Sequence, residues 1–253
     1  MLVSITEKCR MGCSHCMDDA KPDCENHMSM EMFKKAIDFN FKYDRTITIT
    51  GGEPTENPLF WDMMNVLAEK MTSHQLATVT TNGMNFSNDD IDKIISIRNK
   101  CAGKILYQVS SIRPYYPIHI DERLDIFKLD EFFIAKKQEK LEPRGRAASH
   151  KNWIFTSKAP QCFNFRSFIR NTHNFSDSIR GLRSLLKFCT PQIAYDGSIK
   201  CGESCLCPPV AHIDENIDII TDKISKFTCA CPDCHMILDK LPLNYRETIG
   251  EKS

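Results

Sequence analysis

The sequence predicts an α/β protein built on a parallel sheet with helices outside it. Over residues 2–111, short segments of strand-like alternation follow segments with helical spacing of apolar residues. This strand–helix rhythm repeats several times, which is typical of parallel sheets. In addition, the polar and glycine-rich motifs follow the predicted strands, at the ends where parallel sheets place functional residues.

The first strand, first helix and second strand are predicted in turn. Residues 2–6 form a short apolar strand, and Ser29 begins a helix that carries Glu31 in its first turn, where the helix dipole favours an acid. Residues 46–50 alternate with period two and run into Gly51-Gly52, which indicates a strand ending in a tight turn. The apolar residues of the helix recur at helical spacing: Met30, Phe33, Ile37 and Phe41.

The second helix and third strand follow the same rhythm. Asn57-Pro58 predicts the start of the helix, and residues 76–81 form a strand that Asn82-Gly83 stops. The apolar face of this helix consists of Phe60, Met63, Met64 and Leu67.

The third helix and fourth strand complete the regular part. Ser87 with Asp90 predicts an N-terminal cap for a helix to about residue 99, and residues 104–111 form a strand. From residue 115 the pattern weakens. Residues 132–135 form either a further strand or an irregular connection, and residues 142–147 form a loop after one more strand or part of that connection.

Composition limits the classes of function. The 253 residues suffice for one large domain, or for a domain with a small appendage. Lys plus Arg and Asp plus Glu both total 33, so the net charge is zero and no broad nucleic-acid surface is expected. No apolar run is long enough to cross a bilayer, and the N-terminus does not resemble a signal peptide. We therefore expect no membrane association and a cytoplasmic location.

The 13 cysteines indicate metal or cluster ligation, because a reducing cytosol does not favour disulfides. One group follows the first strand and a larger group crowds the last third of the chain. This distribution predicts two domains that pack together, residues 1–160 and residues 161–253.

Cys9, Cys13 and Cys16 have the spacing CxxxCxxC directly after the first strand. Three thiolates on one loop can hold three irons of a cubane cluster, which leaves the fourth iron open to a substrate or cofactor. From these residues alone, a zinc site and three buried thiols stay open as alternatives.

A second motif, Gly51-Gly52-Glu53-Pro54, ends the second strand. Paired glycines let backbone approach a ligand closely, and Glu53 supplies a carboxylate for a cationic group. With CxxxCxxC after the first strand and GGEP after the second, the sequence resembles the radical S-adenosylmethionine (radical SAM) superfamily.

The resemblance implies a partial (β/α)6 TIM-type barrel over residues 1–160. It also implies that the three cysteines hold a [4Fe–4S] cluster whose open iron binds the amino and carboxylate groups of SAM. The GGEP turn would meet the methionyl amino group, with Glu53 as the acid. His15 stands where the family has an aromatic residue against adenine, and the strand ends supply Asn82 and Ser110 near SAM. Ordinary polar strand ends would explain those last two residues equally well.

The chemistry that the resemblance implies is reductive cleavage of SAM. The reduced cluster passes one electron to the sulfonium, which gives methionine and a 5′-deoxyadenosyl radical, and the radical takes hydrogen from a substrate. The electron would come from an external donor such as flavodoxin or ferredoxin.

The later cysteines resemble the small cysteine-rich SPASM or Twitch extensions of radical SAM enzymes, which hold auxiliary [4Fe–4S] clusters. Asp196-Gly197 predicts a hairpin between Cys189 and Cys201. The later spacings differ from the SPASM pattern, so one or two auxiliary clusters are both compatible with them. A subset of the following cysteines would be ligands: Cys189, Cys201, Cys205, Cys207, Cys229, Cys231 and Cys234.

Two further features belong to this region. Gly145-Arg146-Ala147 is similar to a GRA segment of SPASM-type enzymes. The run Cys229-x-Cys231-x-x-Cys234-His235, with Cys201 or Cys205, is also compatible with a structural zinc site.

The predicted function is that of a radical SAM enzyme whose substrate is a peptide or protein, the class that SPASM-type enzymes most often modify. A radical SAM activase or a small-molecule enzyme is the alternative. An iron–sulfur electron carrier or a zinc-stabilised binding module is the non-enzyme alternative, which GGEP opposes. The chain begins almost at the cysteine motif, so a leader peptide would need a separate binding protein or the barrel itself.

Overall fold

A computed structural model of the chain describes residues 1–16, 18–110, 133–136, 146, 192–200 and 209–226. The chain divides into two compact units. The first comprises Met1–Thr156 and Ala194–Asp196, and the second comprises Ser157–Ile193 and Gly197–Ser253. The residues on either side of position 160 lie outside the described part, so the domains 1–160 and 161–253 stay a prediction.

Among its described residues, the first unit contains five strands, each parallel to its neighbour, in the order β5-β4-β3-β2-β1. Helices alternate with the strands along the chain, which confirms the predicted α/β class with a parallel sheet. The elements are β1 (Leu2–Ser4), α1 (Met30–Tyr43), β2 (Thr46–Thr50), α2 (Phe60–Lys70), β3 (Leu76–Thr81), α3 (Asn88–Lys100), β4 (Lys104–Ser110) and β5 (Phe133–Lys136).

Alternate strand residues and one face of each helix form the core of this unit. Helix α1 buries Phe33 and Ile37, as predicted. It also buries Phe39 rather than the predicted Phe41, and the Phe39 ring packs edge-on against Tyr43 at 5.2 Å between centroids. Each buried side chain of this size contributes about 1.5–3 kcal/mol relative to exposure. The buried apolar residues of β1 to β4 are Val3, Ile47, Ile49, Ala77, Val79, Ile105, Tyr107 and Val109.

Strand β1 is shorter than the sequence predicts. It ends at Ser4, whereas the apolar pattern extends to Thr6. The backbone of Thr6 forms an antiparallel bridge with His27, and its carbonyl also accepts from Gly52 N–H at 2.7 Å. The segment that carries the cysteines therefore begins hydrogen-bonded on both sides.

Helix α2 begins later than Asn57-Pro58, the predicted start. The side-chain Nδ2 of Asn57 donates to the carbonyl of Ile5 at 2.8 Å, and its Oδ1 accepts from the backbone N–H of Leu59 at 2.8 Å. Asn57 therefore links the residue after β1 to the segment just before α2. A 3₁₀ turn over Pro54–Glu56 precedes Asn57.

The α3 cap, strand β4 and, of the two alternatives for residues 132–135, the strand are confirmed within about a residue. Ser87 and Asp90 form a reciprocal capping box at the start of α3. Strand β4 ends at Ser110, and the predicted strand at 132–135 is present as β5. Of residues 142–147 only Arg146 is described, so that loop stays a prediction.

In the second unit, β6 (Gln192–Ile193), β7 (Ser198–Lys200) and β8 (Ala211–His212) form antiparallel pairs, and α4 spans Ile217–Lys226. Gly197 has φ 83°, a conformation that suits glycine in a tight turn. The predicted hairpin at Asp196-Gly197 is therefore confirmed. Within the described ranges, no helix is both long enough and apolar enough to span a membrane.

Candidate functional site

Three loops meet at the carboxyl edge of the parallel sheet. The cysteine loop, residues 5–29, follows β1, and the GGEP turn, residues 51–54, follows β2. Residues 81–83 end β3 and enter the next loop. Because β1 to β5 are parallel, their carboxyl ends lie on one edge, which is where the motifs were expected.

Cys9, Cys13 and Cys16 are half-buried free thiols of the cysteine loop. Burial raises the pKa of Cys9 to about 11 and that of Cys13 to about 12. Neighbouring negative charge adds to this rise: Cys16 acts on Cys9, and both Cys9 and Cys16 act on Cys13. Three thiolates in this place therefore need compensating positive charge, and a bound iron–sulfur cluster supplies it because soft thiolates are its ligands.

The cysteine loop supplies three thiols, which are the donor type of an iron–sulfur cluster. Among the described residues, no three His, Cys, Asp or Glu side chains converge closely enough to hold a single metal ion. Such convergence is not required in a four-iron cluster, because each thiolate binds a different iron. The donor set of the cysteine loop therefore fits the group that the sequence motif implies.

The GGEP turn is hydrogen-bonded to the backbone of the cysteine loop. Gly52 N–H donates to the carbonyl of Thr6 at 2.7 Å, and Glu53 N–H donates to that of Lys8 at 2.8 Å. A Cβ atom would lie 2.5 Å from the Thr6 oxygen at Gly51 and 2.2 Å from the Lys8 oxygen at Gly52. The two glycines thus let two protein backbones meet, a role that is additional to the predicted approach to a ligand.

Glu53 is 1% exposed and ties the end of β2 to the end of β3. Its carboxylate accepts hydrogen bonds from Thr81 Oγ1 at 2.6 Å, Asn82 N at 2.7 Å and Thr55 Oγ1 at 2.8 Å. Burial raises the pKa of this carboxyl, and the donors around it act in the opposite direction. Sequence reasoning missed Thr55, although a hydroxyl two residues after an acidic residue in a turn is a usable signal.

Replacing Glu53 with Ala should lower the thermal stability of the metal-free protein. The buried Thr81 hydroxyl and the half-buried Asn82 N–H would lose their carboxyl acceptor, which costs about 3 kcal/mol. That loss corresponds to a fall of about 6–12 °C in Tm, measured by circular dichroism. Glu31→Ala on the exposed face of α1 is the control, with a change of about 0.5 kcal/mol or less. Equal melting temperatures for the Glu53 variant and wild type would show that this network does not hold the turn.

Several other predicted site residues lie at the same edge of the sheet. His15 is buried within the cysteine loop, Pro54 is buried at the start of the 3₁₀ turn, and Ser110 ends β4. Asn82 Nδ2 lies 3.8 Å from Cys9 Sγ, so the structure brings Asn82, Cys9 and Glu53 into contact. The proposed auxiliary ligands lie outside the described residues: Cys189, Cys201, Cys205, Cys207, Cys229, Cys231 and Cys234.

Two arginines also hold the cysteine loop. Arg10 Nε contacts the buried carboxylate of Glu56 at 2.9 Å. Arg146 Nε donates to the carbonyl of Cys13, and its Nη1 contacts Asp19, both at 3.0 Å. Arg146 of the GRA triplet thus contacts the cysteine loop. Its positive charge lowers the pKa of Cys13, but burial raises that pKa by more.

Comparison with known proteins identifies this region. Residues 3–101 match the radical SAM superfamily. The antilisterial bacteriocin subtilosin biosynthesis protein AlbA of Bacillus subtilis (strain 168) is 27% identical over 97 residues, which are 38% of this chain and 21% of AlbA. The chain therefore matches only about a fifth of the length of that relative.

Two solved structures share the fold. BtrN in complex with AdoMet and 2-DOIA has a TM-score of 0.56 at 12% identity, over 95% of this chain and 88% of BtrN. Streptococcus suis SuiB bound to precursor peptide SuiA has a TM-score of 0.53 at 12% identity, over 95% of this chain and 72% of SuiB.

The chain is an α/β protein with a parallel sheet, and its fold is similar to that of TIM-type barrel enzymes. Over residues 3–101 the chain is similar to the radical SAM superfamily, a similarity that implies SAM and an iron–sulfur cluster as cofactors. The SPASM or Twitch character of the C-terminal part stays a prediction.

Proposed function

We propose that this chain binds a [4Fe–4S] cluster through Cys9, Cys13 and Cys16, binds SAM beside it, and removes hydrogen from a peptide or protein substrate. One observation carries this proposal. The CxxxCxxC loop is hydrogen-bonded along its backbone to the GGEP turn, inside the region that matches the superfamily. An electron carrier or a zinc-stabilised module has no use for such a turn beside its metal ligands.

The chain's own residues have distinct tasks in this proposal. Cys9 and Cys13 lose the protons of their Sγ atoms when iron binds, because the thiolate is the ligand. Glu53 keeps the GGEP turn and the end of β3 in register around the methionyl end of SAM. When bound, the cluster and SAM supply hydrogen-atom abstraction from an unactivated carbon.

Other residues at the same edge of the sheet are proposed to bind the adenosine end of SAM. In this proposal His15 contacts the adenine ring, and Asn82 and Ser110 offer polar groups near SAM. These roles follow the motif positions, and the burial of His15 at 6% exposure supports a site that excludes water around the ring.

A peptide or protein substrate is supported by two similar proteins. AlbA is a bacteriocin biosynthesis protein, and SuiB is seen bound to a precursor peptide. BtrN, bound to 2-DOIA, supports the alternative of a small-molecule substrate. In either case the electron comes from an external donor such as flavodoxin or ferredoxin, and a leader peptide would be recognised by the barrel or by a separate protein.

Residues 161–253 are proposed as a SPASM or Twitch-like region that holds one or two auxiliary [4Fe–4S] clusters. Iron measured per chain in the anaerobically reconstituted protein tests this. A variant with Cys9, Cys13 and Cys16 all replaced by Ala should lose the roughly four irons of the SAM-binding cluster. It should keep about four irons if there is one auxiliary cluster, or about eight if there are two. A triple variant that carries one zinc and no iron would contradict the auxiliary clusters and indicate a structural zinc module.

A further inference from the structure

The side chain of Asn82 is directed at the thiol of Cys9. Asn82 is the first residue after β3, and its Nδ2 lies 3.8 Å from Cys9 Sγ. That separation suits an N–H···S hydrogen bond, in which sulfur is a weak acceptor. Cys9 is the first cysteine of the CxxxCxxC motif, so the contact reaches one of the proposed cluster ligands.

Two further hydrogen bonds fix the orientation of Asn82. Its Oδ1 accepts from the backbone N–H of Met84 at 2.8 Å, and its own backbone N–H donates to Glu53 at 2.7 Å. A flipped amide would place two donors against each other at Met84, and two acceptors against each other at a deprotonated Cys9 sulfur. The surroundings therefore select the orientation in which the amide N–H faces the sulfur.

We propose that Asn82 is a positioning residue that donates a hydrogen bond to the cluster-bound sulfur of Cys9 and thereby raises the reduction potential of the cluster. The inference rests on the proposed function, because it requires a cluster at the cysteine loop. One-electron reduction adds negative charge to the cluster and its sulfur ligands, and a donor to that sulfur stabilises the reduced form more than the oxidised form.

This role couples two parts of the site. Glu53 belongs to the GGEP turn, and it holds the residue that contacts the cluster ligand. The turn proposed to meet SAM is thus connected through one residue to the sulfur of Cys9. An easier reduction favours electron transfer from the external donor.

The midpoint potential of the reconstituted cluster tests this inference. It is measured without SAM by electron paramagnetic resonance during a dithionite titration, on wild type, Asn82→Ser, Asn82→Asp and Asn65→Ser. Both Asn82 variants remove the amide donor. Asn82→Asp keeps an acceptor for Met84 N–H, and Asn82→Ser introduces no charge. Asn65 is the control, because its amide donates to the carbonyl of Trp61 within α2.

The neutral Asn82→Ser variant should be about three- to tenfold harder to reduce, which is a potential about 28–59 mV lower for a one-electron couple. Asn82→Asp should fall further, and Asn65→Ser should match wild type. A fall confined to Asn82→Asp, or an unchanged potential in both Asn82 variants, would overturn the hydrogen bond while leaving the proposed function intact. A wild-type chain that binds no cluster would overturn the proposed function, and this inference with it.

Discussion

Replacement of Cys13 by Ala should abolish the formation of 5′-deoxyadenosine from SAM. Cys9, Cys13 and Cys16 are the only cysteines of the CxxxCxxC motif, and the proposed cluster needs all three to leave one iron open for SAM. Removal of one thiolate leaves a second iron without its protein ligand, so the cluster is lost or no longer binds SAM productively. Cys9→Ala and Cys16→Ala should have the same effect.

The same loop contains a matched control. Cys24 is also half-buried in the cysteine loop, but it lies outside the motif, and its thiol contacts Glu7 at 3.8 Å. Cys24→Ala should keep the iron content and the activity of wild type. Anaerobic assays that quantify 5′-deoxyadenosine and iron per chain compare the variants. SAM cleavage at the wild-type rate by Cys13→Ala would show that Cys13 is not a ligand of the cluster.

Replacement of Gly52 by Ala should strongly destabilise the junction between the GGEP turn and the cysteine loop. The new Cβ would lie 2.2 Å from the carbonyl oxygen of Lys8, and backbone cannot move aside as a flexible side chain can. The hydrogen bonds from Gly52 to Thr6 and from Glu53 to Lys8 would break with that movement. Overpacking and the two lost bonds together cost about 3–5 kcal/mol in the free energy of unfolding.

Gly12→Ala separates this clash from an ordinary loss of glycine. Gly12 lies in the same cysteine loop with φ 56°, but an added Cβ would have no heavy atom within 4 Å. Its cost should be about 1–2 kcal/mol from backbone strain alone. Urea denaturation of the metal-free variants measures both values. If Gly52→Ala cost no more than Gly12→Ala, the close approach of the two backbones would not be a determinant of stability.

Much of the first unit could be predicted because its signals are local. The alternation of residues 46–50, the Ser87 cap and the apolar spacing of α1 depend on neighbours along the chain, and β2, α3 and α1 are present as expected. The predicted boundaries are wrong where contacts between residues far apart in the sequence determine the structure. The start of α2 depends on the contact of Asn57 with Ile5, which are 52 positions apart, and no local pattern reports such a contact.

The candidate site shows the same division. The cysteine and GGEP motifs could be found as residue types at fixed spacing, and the structure places both at one edge of the sheet. Spacing alone could not reveal that Glu53 is bound by Thr55, Thr81 and Asn82, since these contacts depend on how the ends of β2 and β3 meet. The contact of Asn82 with Cys9 likewise follows from the fold rather than from either motif.

We propose that this chain cleaves SAM reductively. The most direct measurement is the product of SAM after anaerobic incubation with the reconstituted, dithionite-reduced wild-type chain, analysed by liquid chromatography and mass spectrometry. We expect 5′-deoxyadenosine and methionine in equal amounts, with neither product in the variant that lacks Cys9, Cys13 and Cys16. Intact SAM after incubation with a chain that holds its full complement of iron would contradict this proposal.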